Sequence, residues 1–373
     1  DYFTLHALIP FHDEQGEFDI RARWKPSEAC QPWRDEEGRV VNRKLVENVA
    51  QRIANQPAIV KESEHKETQQ QAPLPYSLSV LQIDAARRFQ MSAQQVLDVC
   101  QSLYEKHKLI TYPRSDCRYL PLEHWQQAAS VAAAILNNCS LLSAAVNGAN
   151  LEIKSKAWND KKVDAHHAII PTPKKASFNG LSGDEMKLYQ LIATQYLIQF
   201  YPPARYADAK LVFDIAGGVF IATGRHLTFP GWKTVTGVKD EQGDNADNVP
   251  PLDVGQTLCC REGVIKDRKT EPPRPFTEAT LLQAMTGIAR FVKDKELQKI
   301  LRDTDGLGTE ATRAGILDTL FRRQLLQREG KVIVSSLAGR GLINALPDTS
   351  TYPDMTAHWE YQLQGIAEKT QSY

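Results

Sequence analysis

The hydrophobic pattern of this chain switches from strand-like to helical, back to strand-like, and again to helical, and that order restricts the fold more than any single residue does. Phe3, Leu5, Ala7 and Ile9 alternate with polar neighbours, as do Phe18, Ile20, Ala22 and Trp24 beyond a turn at Gly16. Two period-two runs about a glycine read as a hairpin with one buried face. Lys25 to Arg39 is polar, holds two prolines and reads as an exposed loop; residues 44–55 read as a helix. Gln69 to Pro75 reads as a linker, because its prolines cannot sit inside a helix. From Ser77, a plausible N-cap, apolar residues recur at helical spacing through Leu81, Ile83 and Phe89. Ser92 opens a second helix with Val96, Leu97, Cys100 and Leu103 on one face. Leu109 to Pro113 reads as extended, and a helical pattern returns at 183–201.

Strand pattern reappears from Tyr206 to Val238, folded about Gly217-Gly218, before a polar loop at 240–248. After Pro272 to Pro275, helices dominate: one capped by Thr277, one from about Glu310, then a short strand at Lys331–Val334 and a helix near 337–346. The economical expectation is a multidomain α and β protein. A β-rich domain, residues 1–72 and 205–273, holds an inserted helical domain at 73–204, and a second helical domain follows at 274–373. Each helical block has the helix, helix, wing layout of a winged helix-turn-helix.

The 373 residues suffice for two or three domains. Lys plus Arg equals Asp plus Glu at 45 each, so any surface for an acidic partner must come from local segregation of charge. The six cysteines form no C-x-x-C pair, which argues against a zinc ribbon or redox motif. Free thiols suit a reducing cytosol, and no apolar run is long enough to span a bilayer. The chain opens on Asp1 already in a strand pattern and stops at Tyr373 just after a helical one, so both ends read as cuts in a longer protein.

Three segments carry chemistry. In Ile110-Thr111-Tyr112-Pro113-Arg114-Ser115-Asp116, a tyrosine precedes an arginine by two residues; in an extended segment the two side chains share a face. A phenol is a poor nucleophile, with an ordinary pKa of about 10. It becomes useful beside a cation and a phosphate, so the pair points to attack on a phosphodiester. A strand-end tyrosine packed on a core is the bland alternative. In Asp164-Ala165-His166-His167-Ala168 the adjacent histidines face opposite ways on an extended chain, which makes them poor co-ligands; one could serve a phosphate oxygen, or both could be structural. In Asp305-Gly306-Leu307-Gly308-Thr309-Glu310-Ala311-Thr312-Arg313, two glycines lead into a helix start carrying hydroxyls and a guanidinium, an anion site or simply a capped turn. The D-x-D-x-x-G from Asp303 is discounted as a metal motif, since helix rather than a buried strand precedes it. Gln101 and Glu105 lie one helical turn apart on the helix before Tyr112, and Glu105 could orient a nucleophile.

Taken in order, Ser77 to Gln82, Ile110 to Asp116, Ala165 to Thr172, Gly306 to Ala314 and Pro353 to Glu360 resemble the type IA DNA topoisomerases across essentially the whole chain. The resemblance implies part of a toroid, with the β-rich domain as hinge. It implies that Tyr112 is the nucleophile forming a 5′-phosphotyrosyl bond with one strand, that Arg114 stabilises the attacked phosphate, and that His166 is the active-site histidine. It implies that Glu105 matches a residue around the catalytic pocket and serves catalysis, although it sits one residue farther from the tyrosine than in some members. Gln101, Thr111, Ser115 and Asp116 would contact DNA around the pocket, and Thr309, Thr312 and Arg313 would bind the strand. Lys25 to Arg39 lies where one bacterial branch carries a decatenation loop.

The family's Toprim domain, with its glutamate, lysine and paired aspartates for Mg²⁺ and acid–base steps, has no match here. No metal ligand is therefore assigned in this chain, and Mg²⁺ is expected to be held in that missing N-terminal portion. The implied function is ATP-independent cleavage, strand passage and religation, giving relaxation and decatenation, with this chain inactive alone. Single-stranded DNA, duplex passing through the gate and the Toprim portion would be its partners, in the bacterial cytoplasm and without a membrane. The rivals are a noncatalytic single-strand-binding module and a relaxase-type tyrosine nickase. The latter wants H-x-H, which puts both imidazoles on one strand face.

Overall fold

The structure, a computed structural model, describes residues 1–13, 16–176, 180–237, 249–292, 294–303 and 306–372, without the side chains of Ile300, Arg302, Asp303 and Gln364. The polar loop at 240–248 and the D-x-D-x-x-G carboxylates lie outside what is described. The chain divides into two compact units: Asp1–Gln71 with Pro202–Pro273, and Ala72–Tyr201 with Arg274–Tyr373.

The first unit is built on one antiparallel sheet. Its strands are β1 (Tyr2–Asp13), β2 (Gly16–Lys25), β3 (Gln56–Gln70), β4 (Ala204–Ile215), β5 (Gly218–Phe229), β6 (Thr257–Cys260) and β7 (Glu262–Arg268), in the order β6-β3-β4-β5-β2-β1-β7. The two edge strands are consecutive in sequence, separated only by Arg261, whose N–H donates to the Leu8 carbonyl at 2.8 Å. The sheet therefore curls until its edges meet, which hides the unpaired groups an open edge would expose. Alternation sets the inner face: Leu5, Ala7 and Ile9 of β1 and Ile20 and Ala22 of β2 are buried, with Ala7 opposite Ala22 and Ile9 opposite Ile20. Helix α1 (Arg43–Ile53), capped by the Asn42 side chain, adds Val46, Val49 and Ile53 to that core. Gly263 lets it approach, since a Cβ there would lie 2.9 Å from the Ala50 backbone. The short helix α8 (Lys233–Thr236) follows β5.

Strand β3 has no counterpart in the periodicity: beyond Ala58 and Val60 it is polar on both faces. Its pairing with β4 runs from Ala58↔Ile215 to Gln70↔Ala204 and makes it a strand despite its composition. Part of the Lys25–Arg39 segment is also less exposed than expected. A 3₁₀ turn at Glu28–Trp33 buries Cys30, and the Arg34 guanidinium donates to the carbonyls of Pro26 and Ser27 at 2.6 Å each.

The second unit is helical. Its first segment holds α2 (Leu78–Phe89), α3 (Ala93–Glu105), α4 (Leu122–Gln126), α5 (Ala128–Asn138), α6 (Ser143–Asn147) and α7 (Gly183–Leu197). Its second holds α9 (Glu278–Thr286), α10 (Lys295–Asp303), α11 (Arg313–Arg322), α12 (Leu337–Ala345), α13 (Asp348–Thr351) and α14 (Asp354–Ala367). A small sheet of β8 (Phe276–Thr277), β10 (Val332–Ser335) and β9 (Leu326–Glu329) forms the wing of that second segment. In the first segment, the strand pairing among the described residues is limited to isolated bridges such as Tyr76↔Ile169 and Ile110↔Pro171. Leu81 of α2, Val96 and Leu103 of α3, Leu188 and Tyr196 of α7, Leu282 of α9 and Leu317 of α11 belong to one buried cluster. The two helical segments thus share a core. The helix capped by Thr277 ends at Thr286, and Gly287 then starts a 3₁₀ turn at Ile288–Phe291.

Candidate active site

Tyr112 follows α3 by seven residues, and the path between them is fixed by the backbone. Leu109 receives the Thr172 N–H at its carbonyl (2.9 Å), and Thr111 donates its own N–H to Ile170 (2.9 Å). The Thr111 hydroxyl is used twice, donating to the Ala168 carbonyl (3.1 Å) and accepting from the Ile170 N–H (3.0 Å). Thr111 thereby ties the tyrosine segment to the histidine segment. The extended geometry expected from Leu109 to Pro113 does not persist: after the bridge at Ile110 the chain bends at Thr111, Pro113 and Arg114. The period-two argument for Tyr112 and Arg114 assumed continuous extended backbone, and these bends remove that assumption.

The tyrosine ring is held by two others. His166 stacks on it with centroids 4.9 Å apart and planes at 19°, and Tyr104 meets it edge-on at 5.8 Å and 81°. Both are favoured aromatic geometries and restrict the ring's rotation. Tyr112 is nevertheless 39% exposed, whereas Tyr76, Tyr189 and Tyr196 in the same unit are buried. Burial pushes the Tyr189 phenol up to about 12 and raises Tyr76 and Tyr196 as well, so those phenols are neither ionised nor reachable. Arg114 is exposed, and among the described residues its guanidinium has no hydrogen bond or ion pair. Glu105, at the end of α3, is also exposed, and Gln101 is half-buried one turn before it.

The adjacent histidines do face different partners. His166 takes Tyr112, while His167 contacts His124 at 4.5 Å and places Nδ1 2.9 Å from the Ala168 carbonyl. Burial first, and then His167, lowers the His124 pKa from its ordinary value. Neither Tyr104 nor His124 stands out in the sequence, since a lone helical tyrosine or histidine carries no motif.

Two expected DNA contacts are buried. Ser115 is inaccessible; its carbonyl accepts from the Leu78 N–H at 2.9 Å and its hydroxyl from the Cys117 N–H at 3.1 Å. Arg313 is 1% exposed, with its guanidinium donating to the Leu307 carbonyl (3.1 Å), the Gly308 carbonyl (2.8 Å) and the Ser79 hydroxyl (2.6 Å), 3.3 Å from Glu310. Its donors are spent on the protein, because the glycine loop ahead of α11 folds back over its own helix. Thr309 and Thr312 remain exposed, their hydroxyls 3.2 Å apart, and Asp116 is exposed too. Among the described residues no three His, Cys, Asp or Glu side chains converge as a metal shell.

The site geometry is thus an exposed tyrosine packed between His166 and Tyr104, with an exposed arginine two residues on in sequence. The family model for DNA topoisomerase matches residues 1–373, and the chain belongs to that family. It is 74% identical over 373 residues to DNA topoisomerase 3 of Vibrio cholerae, covering 100% of this chain and 58% of that protein. To DNA topoisomerase 3 of Pasteurella multocida it is 56% identical over 354 residues, covering 95% of this chain and 54% of that protein. The chain thus spans little more than half the length of these curated relatives. Its fold matches the structure of full-length topoisomerase I from Thermotoga maritima at a TM-score of 0.63 and 19% identity, over 100% of this chain and 56% of that one.

Proposed function

We propose that this chain supplies the tyrosine side of a type IA DNA topoisomerase, and that Tyr112 is its nucleophile. The observation that carries the reading is Tyr112 itself: exposed, clamped between His166 and Tyr104, and two residues from a guanidinium that is exposed and unpaired among the described residues. A single DNA strand enters with a phosphate between Tyr112 and Arg114. The Tyr112 oxygen bonds to phosphorus as the bond to the 3′ oxygen breaks, leaving a 5′-phosphotyrosyl link. The phenol gives up its proton and the departing 3′ oxygen gains one. Arg114 balances charge on the phosphoryl oxygens, and the His166 imidazole donates to one of them. Religation is the reverse, so the phosphodiester energy is kept and no ATP is needed.

Glu105 and Gln101 border this pocket at the end of α3, with Thr111 fixing the segment behind it. Asp116, Thr309 and Thr312 contact the bound strand. Between cleavage and religation the domain carrying Tyr112 swings on the β-rich unit, and a second strand or duplex passes. The segment Lys25–Arg39 serves decatenation. Mg²⁺ and the acid–base carboxylates belong to a Toprim portion outside these residues, and the setting is the bacterial cytoplasm. His166 and His167 serve different rings, which speaks against a paired-histidine nickase.

The test mixes this chain with a Toprim-containing segment, Mg²⁺ and negatively supercoiled DNA. Relaxation is expected in the mixture and not with the chain alone. Relaxation by the chain alone would refute the division of labour.

A further inference from the structure

The tetrapeptide Thr-Glu-Ala-Thr occurs twice, at 277–280 and 309–312. The two copies fold alike. In each, the first threonine's N–H donates to the second threonine's hydroxyl, at 2.7 Å for Thr277 and 2.8 Å for Thr309, and the paired hydroxyls lie 3.2 Å apart in both. In each, the glutamate reaches across to a backbone N–H in the first turn of another helix. Glu310 Oε2 accepts from Ser79 at 2.5 Å, at the start of α2, and Glu278 Oε1 accepts from Ala93 at 3.0 Å, at the start of α3. In each, an arginine backs the carboxylate: Arg313 at 3.3 Å for Glu310, Arg328 at 2.8 Å for Glu278. Ser77, at the N-cap of α2, makes no side-chain capping bond, so Glu310 performs that task from 231 residues away.

We infer that Glu310 and Glu278 are positioning residues for the cleavage reaction, paired carboxylate clamps that hold the α2–α3 hairpin and, through it, Tyr112. The link is short. Glu310 and Arg313 grip Ser79; the adjacent Leu78 N–H holds the Ser115 carbonyl at 2.9 Å, three residues beyond Tyr112. Glu278 grips the start of α3, whose last turn supplies Tyr104, the ring set edge-on against Tyr112. A charged acceptor on a helix N-terminal N–H gives a strong bond, and the helix dipole adds to it. The clamps differ in shelter: the Arg313 side chain is 2% exposed and the Arg328 side chain 45%, so the Glu310 clamp is the stronger and the less sensitive to salt. The inference rests on Tyr112 as nucleophile.

Its test has two arms. In the 373-residue chain, amide exchange is followed at Ser79 and Ala93. Glu310→Gln is expected to speed exchange at Ser79 about tenfold, and Glu278→Gln that at Ala93, each leaving the other site unchanged, since one lost contact opens one helix start. In the chain joined to its Toprim portion, covalent adduct formation on single-stranded DNA is timed. Glu310→Gln is expected to slow it about tenfold at saturating DNA, with half-saturation unchanged within about twofold, because positioning acts on the chemical step. Should Glu310→Gln fail to fold, Glu310→Asp keeps the charge but withdraws the carboxylate by one methylene and serves the same comparison. Unchanged exchange, or adduct rates equal to wild type in both variants, would overturn the clamps. Absence of any adduct in the wild type would instead sink the nucleophile reading, leaving the exchange arm to decide the clamps.

Discussion

At the scale of single residues, location decides role more than residue type does. Arg114 and Arg313 are both arginines in motifs that suggest DNA contact, yet one is exposed and, among the described residues, unpaired, and the other is 1% exposed and saturated. Arg313→Ala leaves the Leu307 and Gly308 carbonyls and Glu310 without their buried partner. Removing one member of such a buried network costs about 3 kcal/mol, to be read as a lowered urea midpoint. Arg313→Lys recovers little of it, because an ammonium cannot reproduce the guanidinium fork. Arg114→Ala, at an exposed site, changes stability by no more than about 0.5 kcal/mol. A stability ranking with the two reversed contradicts this assignment.

At the scale of elements, the glycine loop and the histidine segment each make a distinct prediction. Gly306 has φ +81°, and a Cβ there would lie 2.4 Å from the Met285 carbonyl. That carbonyl accepts the Leu307 N–H at 2.9 Å, so the loop is docked on the end of α9 by its backbone. Gly306→Ala is expected to cost on the order of 1–3 kcal/mol, checked by thermal or urea unfolding, and an unchanged midpoint contradicts the docking. His124 is a base whose folded pKa is depressed by burial and by His167. The unfolded chain therefore takes up the proton first, at about pH 6.5, so its contribution to stability is full above that range and falls as pH drops toward the folded value. Stability measured at about pH 7.5 and 5.5 should fall with acid, and His124→Gln should reduce that fall; equal slopes would exclude the effect.

These elements were unequally legible in the sequence. Strands β1 and β2 and helices α2 and α3 have one clean apolar face and declare themselves. Strand β3 does not, because most of its length is polar on both faces and its state is set by pairing with β4. The threonine–arginine segment was recognisable as a special helix start. That its arginine turns inward and its glutamate caps α2 depends on long-range packing that local pattern does not encode. The repeat of Thr-Glu-Ala-Thr was the available signal for the clamps.

At the scale of the whole molecule, the two units are built on different principles. The curled sheet closes on itself through Arg261. The helical unit merges its two chain segments into one core and holds Tyr112, Tyr104 and His166 together. The central claim is that Tyr112 attacks DNA. The most direct measurement joins this chain to its Toprim portion, adds Mg²⁺ and single-stranded DNA, quenches with detergent, and digests for mass spectrometry. The account predicts a nucleotide linked through its 5′ phosphate to the peptide containing Tyr112, absent from Tyr112→Phe. An adduct on another residue, or one undiminished in Tyr112→Phe, would contradict it.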